Sequence, residues 1–179
     1  MSQLASISRS LSPLISVTYE GSDNLPVTLT EAKLYGRIDT DEDDTVVFIL
    51  IAESAEAFQS FTGMRLFHQQ VTATFQSDGY GVAILPALPV VEVTSVQKGG
   101  DDVEYELKGD RIWFDASGEI TVIYTAGLFE EYVPDSDKTG FLKWIVSNYN
   151  DREDTTAIGV QRMPNSSKMI WSRHKRYFL

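Results

Sequence analysis

The chain has 179 residues, 42% hydrophobic and 23% charged, with no cysteine and a formal net charge of −11. That length suits one domain able to bury a core without covalent staples. The missing cysteines exclude disulfides, thiolate zinc sites and thiol nucleophiles, and the negative charge excludes a protein that grips phosphates over its whole surface.

The charge is unevenly spread. Residues 1–161 carry all 26 acids against 10 bases, whereas the last 18 residues carry Arg162, Lys168, Arg173, Lys175 and Arg176 and no acid. The chain therefore reads as an acidic body with a basic arm.

At the N-terminus, MSQLASISRSLSPLISV is broken by serines and a proline and lacks the apolar stretch of a secretory signal. Residues 1–26 are expected to be an irregular lead-in, with a strand near Leu14–Tyr19. The longest apolar run, VVFILIA at 46–52, is far short of the roughly 20 residues that span a bilayer. A soluble protein with no membrane partner is expected.

Thr30 fits a helix N-cap, with Leu29 and Leu34 placed as a hydrophobic staple. This predicts a short helix over 31–37, which Gly36 helps to end. The stretch RIDTDEDDT follows, with Asp39, Asp41, Glu42, Asp43 and Asp44. As a calcium loop starting at Asp39 it fails twice, because Asp44 stands where the turn glycine is needed and Leu50 where the bidentate acid is needed. A structural role asks for less: Thr40 or Asp41 caps a second helix near 43–62, and Glu42, Asp43 and Asp44 sit beside the positive end of its dipole. Val47, Leu50, Ile51, Ser54, Phe58 and Phe61 form its apolar stripe, and Gly63 closes it.

From Gln69 the period changes from 3.6 to 2. QQVTATFQ, VAIL, VVEVTSVQ, VEYEL, RIWFD and EITVIYT read as six short strands, separated by turn signals such as SDGYG, LPALP, KGGDD and ASG. After Pro134, the spacing of Leu142, Ile145, Val146 and Tyr149 predicts a helix over 137–152. The expected fold class is α+β: a helical core (helices near 31–37, 43–62 and 137–152) with an antiparallel β-rich insertion at about 69–125.

Catalytic chemistry finds little support. A serine nucleophile needs a base, and His68 and His174, the two histidines, have no companion motif and read as surface or satisfied turn residues. Asp115, Glu119, Glu130 and Glu131 have no spacing that separates a glycosidase pair from solvated acids. Gly79 and Gly81 do not form a phosphate-binding fingerprint. No enzyme activity, cofactor or metal is expected.

Among the aromatics, Phe58, Phe61, Trp144 and Tyr149 read as core. Trp113 and Phe114 are adjacent on one strand and so point to opposite faces. Trp171, Tyr177, Phe178 and Leu179 are interleaved with Arg162, Lys168, Arg173, Lys175 and Arg176, which reads as a docking arm over 155–179.

Taken in order, LTEAKLYGRIDTDEDDT, FTGMRL, LPALPVVEVTSVQ, ITVIYTAG and KWIVSNYNDRED resemble the head–tail connector family of tailed bacteriophages, also called adaptor or head-completion proteins. The resemblance spans 27–154 and is carried by order and spacing rather than by one motif. It does not cover the lead-in, and the region after Asp154 lacks the Leu-rich, Pro-Tyr-Arg-like ending of closer relatives. The resemblance implies a non-enzymatic virion protein, made in the host cytoplasm and placed at the neck. About a dozen copies would form a ring docked on the portal protein, with a stopper or other tail protein beyond, and DNA would pass through the channel without specific binding. It also implies that the arm (Arg162, Lys168, Trp171, Arg173, Lys175, Arg176, Tyr177, Phe178 and Leu179) holds the portal, and that the acids from Asp39 to Asp44 face the channel or a neighbour. The alternatives are a stopper or terminator, and, from a different class, a carboxylate enzyme or calcium-binding module.

Overall fold

The computed structural model of the chain describes residues 10–21, 23–151 and 163–175. The fold is α+β, as expected, and the chain divides into two compact units. The helical unit is Asp23–Phe67 with the chain from Leu128 onward; the sheet unit is His68–Gly127 with the chain before Asp23.

The helical unit contains α1 (Leu29–Gly36), α2 (Asp44–Thr62), α3 (Asp135–Asn150) and α4 (Asn165–Trp171), the last followed by a 3-10 turn over Ser172–His174. α1 starts earlier than Thr30 would set it, because Thr28 and Glu31 close a capping box. The Glu31 N–H donates to Thr28 Oγ1 at 3.1 Å, and the Thr28 N–H donates to Glu31 Oε2 at 2.8 Å. Nor does Gly36 supply the left-handed turn that ends the helix: Arg37 does, at φ 54° and ψ 45°. Gly36 serves close packing instead, since a Cβ there would stand 3.1 Å from Ile38 and 3.2 Å from Val146.

α2 buries Val47, Leu50, Ile51, Ser54 and Phe58 on one stripe and stops at Gly63, left-handed at φ 73°. Its N-cap residue is Asp43, whose side chain makes no capping hydrogen bond. The expected cap by Thr40 or Asp41 is therefore not formed. α2 packs with Phe141, Trp144 and Ile145 of α3 and with Trp171 of α4 in one buried cluster.

The sheet unit holds a seven-stranded sheet: β1 (Ser10–Leu11), β2 (Leu14–Glu20), β3 (Gln69–Ile84), β4 (Val90–Lys98), β5 (Asp101–Asp102), β6 (Tyr105–Lys108) and β7 (Arg111–Ala126). The strand expected near Leu14–Tyr19 is present, so residues 10–20 of the expected irregular lead-in belong to the sheet. Pairing is antiparallel except between β1 and β3.

Four of the expected strands are in fact two. QQVTATFQ and VAIL form the single β3, RIWFD and EITVIYT the single β7, and these pair without interruption from Gln69↔Ala126 to Ile84↔Arg111. The expected turns SDGYG and ASG lie opposite each other within this ribbon. Gly79 (φ 140°) and Gly118 (φ 105°) take backbone angles that L side chains rarely adopt, and the pairing runs through them unbroken. Residues from both sides of these glycines, Val71 and Phe75 with Ala83 and Leu85, share one buried cluster with Ile112, Val122 and Tyr124. The LPALP segment is held by the buried Tyr124 hydroxyl, which accepts from the Ala87 N–H at 3.0 Å.

Candidate functional site

Two places in the helical unit gather the residues singled out by sequence: the α1–α2 corner and the C-terminal segment.

At the corner, the left-handed Arg37 turns the chain, Ile38 anchors it in the core, and residues 39–43 lead into α2. The acids do not converge. Lys33, one turn before the end of α1, places its Nζ 2.6 Å from Asp41 Oδ1 and 2.5 Å from Asp44 Oδ1. Asp43 Oδ2 accepts from the Tyr149 hydroxyl of α3 at 2.5 Å. Asp39 and Glu42 face solvent. Lys33 holds the Asp41 carboxyl below its ordinary range, and Asp41 first, then Asp44, holds the Lys33 ammonium above its own. Beside them Leu29, Leu34 and Ile38 line an open groove rimmed by Asp39, Asp41 and Asp44. The groove is open to water, and its charged lining residues are Lys33, Arg37, Asp39, Asp41 and Asp44.

A second ion pair joins α1 to α3. Lys138 Nζ lies 2.6 Å from Glu31 Oε1. This hydrogen bond, and after it the one from the Thr28 N–H, lowers the Glu31 carboxyl below its ordinary range.

The C-terminal segment is largely built into the unit. Trp171 is fully buried, its ring 5.4 Å from Phe58 edge-on and 5.0 Å from Phe141. Ser167 Oγ donates to the Gly140 carbonyl at 2.9 Å. Arg173 Nη2 reaches Asp137 Oδ1 at 2.6 Å and the Ser136 carbonyl at 2.8 Å, and His174 Nε2 lies 2.8 Å from the same Asp137 oxygen. Asp137 is only 4% exposed, so these partners offset the cost of burying its charge. Lys175 Nζ sits 5.0 Å over the Phe61 ring.

Of the nine arm residues, Trp171 is thus a core side chain and Arg173 is engaged with Asp137. Lys168 and Lys175 are exposed; Arg162, Arg176, Tyr177, Phe178 and Leu179 lie outside the described residues. His174, read as a surface or satisfied turn residue, lies in the 3-10 turn and is satisfied by Asp137. No spacing signals that pair, because it joins residues 37 apart in the chain. Lys33 escapes sequence reasoning as the counter-ion of the acids for a similar reason: it precedes Asp44 by 11 residues, across a turn.

Among the described residues no three His, Cys, Asp or Glu side chains gather as a metal site, and no helix is long and apolar enough to cross a membrane. Several large apolar side chains of the helical unit lie in solvent, including Leu34 (80% exposed), Phe48 (52%), Tyr132 (74%) and Met169 (77%).

No protein-family model and no curated protein matches the sequence. Solved structures do match the fold. A chain in the neck of an empty gene transfer agent particle, computed with sixfold symmetry, is similar at a TM-score of 0.67 and 14% identity, over 92% of this chain and 97% of that one. A chain in the virion of a native gene transfer agent particle is similar at 0.66 and 16%, with the same coverage of both chains. A third, from the neck of the native particle computed with twelvefold symmetry, is similar at 0.60 and 16%, again over 92% and 97%.

Proposed function

We propose that this protein is a non-enzymatic virion component, a subunit of a ring in the head–tail neck that docks on the portal and extends the DNA channel toward the tail. The observation that carries the reading is the likeness to neck chains over nearly the full length of both partners, sheet unit and helical unit included. A neck ring also suits the two features that no chemistry explains. Leu34, Phe48, Tyr132 and Met169 are exposed on a folded helical unit, as expected of side chains covered by neighbouring copies or by the portal. The net charge of −11 gives DNA phosphates few places to adhere as they slide past.

Within this reading the portal contact falls to the exposed Lys168 and Lys175 together with Arg162, Arg176, Tyr177, Phe178 and Leu179, while Trp171 and Arg173 hold the segment in place. Asp39 and Glu42, both exposed, are the acids we assign to a neighbour or the channel. The chain is made in the host cytoplasm and joins the particle at the neck, next to a stopper or other tail protein.

The test is to mix the purified protein with the portal ring of its own phage and image the products by electron microscopy. A variant ending at Lys175 is the proper control, because a cut at Asp154 would also remove the buried Trp171. A second ring stacked on the portal, lost in the shortened variant, supports both the function and the terminal contact. Stacking that survives the cut keeps the function and removes Arg176, Tyr177, Phe178 and Leu179 from the contact. No association with the portal, with capsid or with tail proteins rejects the neck reading.

A further inference from the structure

The sheet unit holds a cleft at the start of β6. Tyr105 is registered with Phe114, while β7 runs on to Asp115 and beyond, so the chain leaves the side of β7 at Glu104. A cavity of about 260 Å³ opens there, lined by three acids (Glu104, Glu106 and Asp115), three aromatic residues (Tyr105, Trp113 and Phe114) and Gly81. None of its walls is a cation.

Its chemistry selects a cation, and one wider than a metal ion. Glu106 is registered with Trp113, and Asp115 follows two residues along the same strand, so both acids share one face of the sheet with the indole. Among the described residues no three carboxylates gather as a metal site. Spaced acids beside open aromatic rings suit a flat, delocalised cation, which stacks on a ring while its N–H groups fork onto carboxylates. Tyr105 is 43% exposed and Trp113 half-buried. The chain's own Lys108 already samples this chemistry: its Nζ lies 5.5 Å from the Trp113 ring centre and 2.6 Å from Glu106 Oε1. The two side chains of that ion pair are 63% and 59% exposed, so water and salt weaken it and a competing cation can displace it. Glu104 and Asp115 are exposed and have no side-chain partner among the described residues.

We propose that this cleft is a docking site for an arginine side chain presented by a protein partner, which displaces Lys108 from Trp113 and pairs with Glu104 and Asp115. Arginine fits better than lysine, whose point charge lacks the planar fork. The acids repel phosphates, so the partner is a protein and not DNA. The inference goes beyond the neck reading and does not rest on it, because the cleft belongs to the sheet unit and the portal contact assigned above to the helical unit.

Titrating the full chain with the blocked peptide acetyl-Gly-Arg-Gly-amide, followed by the tryptophan indole N–H signals in NMR spectra, tests this. The expected result is a saturable shift of the Trp113 signal, assigned by its loss in Trp113→Phe, with the signals of the buried Trp144 and Trp171 unmoved. A chain carrying both E104Q and D115N, with an unchanged circular dichroism spectrum, binds about tenfold more weakly. K108M removes the internal competitor and binds more tightly. The same peptide with neutral citrulline in place of arginine does not bind. An arginine peptide that leaves Trp113 unmoved, a double variant that binds like wild type, or a K108M protein that binds no tighter would each overturn the proposal. Free arginine binding more tightly than the peptide would make the cleft a small-molecule site, and binding seen only in a variant ending at Lys175 would assign it to the chain's own last residues; either result overturns the proposal too. Portal association, read separately by microscopy, is unaffected by these outcomes, so the two readings fail independently.

Discussion

The indole of Trp171 fills the space that a side chain at Gly140 would need: a Cβ on Gly140 would stand 2.5 Å from Trp171 Nε1 and 2.9 Å from Cδ1. α4 thus reaches α3 at backbone distance, and the Ser167 hydrogen bond to the Gly140 carbonyl fixes that approach. Gly140→Ala forces the indole away and is expected to cost about 1–3 kcal/mol. Trp171→Ala leaves a cavity between Phe58 and Phe141 and is expected to cost about 3–5 kcal/mol. Urea unfolding of both variants checks this; a Gly140→Ala protein as stable as wild type would mean that α4 moves freely on α3.

The start of α1 makes a sharper prediction, because two threonines compete for the capping role. Thr28 Oγ1 accepts from the Glu31 N–H and its backbone is bonded in return, so Thr28→Ala is expected to lose about 0.5–2 kcal/mol. Thr30 is exposed inside the first turn, and Thr30→Ala is expected to stay within about 0.5 kcal/mol of wild type. Equal losses in the two variants, measured by chemical denaturation, would show that the capping box is not what starts the helix.

The ion pairs at this corner set a pH dependence whose sign can be worked out. Glu31 is lowered, chiefly by Lys138, and Asp41 is lowered by Lys33. Each favours the folded chain above the ordinary carboxylate pKa of about 4, and that contribution is lost as the pH falls through the lower folded value. Lys33 is raised by Asp41 and then Asp44. Its contribution is complete below the ordinary lysine pKa of about 10.4 and is lost as the pH rises through the higher folded value. E31Q is therefore expected to be less stable than wild type at neutral pH, with the gap narrowing in acid. For K33M the gap should narrow both in acid and at high pH. If both variants keep stability curves parallel to wild type from about pH 2 to about pH 7, a span that brackets the ordinary carboxylate pKa, these pairs do not set the acid dependence.

The sequence is most readable where one physical rule acts alone. The stripe of α2 and its stop at Gly63 follow from helical spacing and glycine's left-handed freedom, and both are found. It misleads where two local rules compete. Thr28 and Thr30 both satisfy N-cap chemistry, and only the acid three residues after Thr28 breaks the tie. SDGYG and ASG have turn composition, but their glycines face a long partner strand, and pairing along the ribbon overrides local preference. Trp171 reads as a docking residue because its neighbours are basic and polar. Its burial depends on Gly140 and Phe58, remote in sequence, which no local pattern reports.

The acidic corner that opens α2 carries the last prediction, on cations. A calcium site needs several carboxylates free to turn inward on one ion. Here Lys33 already supplies positive charge between Asp41 and Asp44, and Tyr149 holds Asp43 toward α3. Calcium must displace an ammonium tied to both carboxylates before it gains a ligand. Wild type is therefore expected to show no calorimetric binding tighter than about millimolar, the weak limit for extracellular calcium modules. K33M exposes the acid pair and is expected to bind calcium more tightly than wild type. Tight binding by wild type would show that the acids rearrange around an ion and that Lys33 is not their counter-ion.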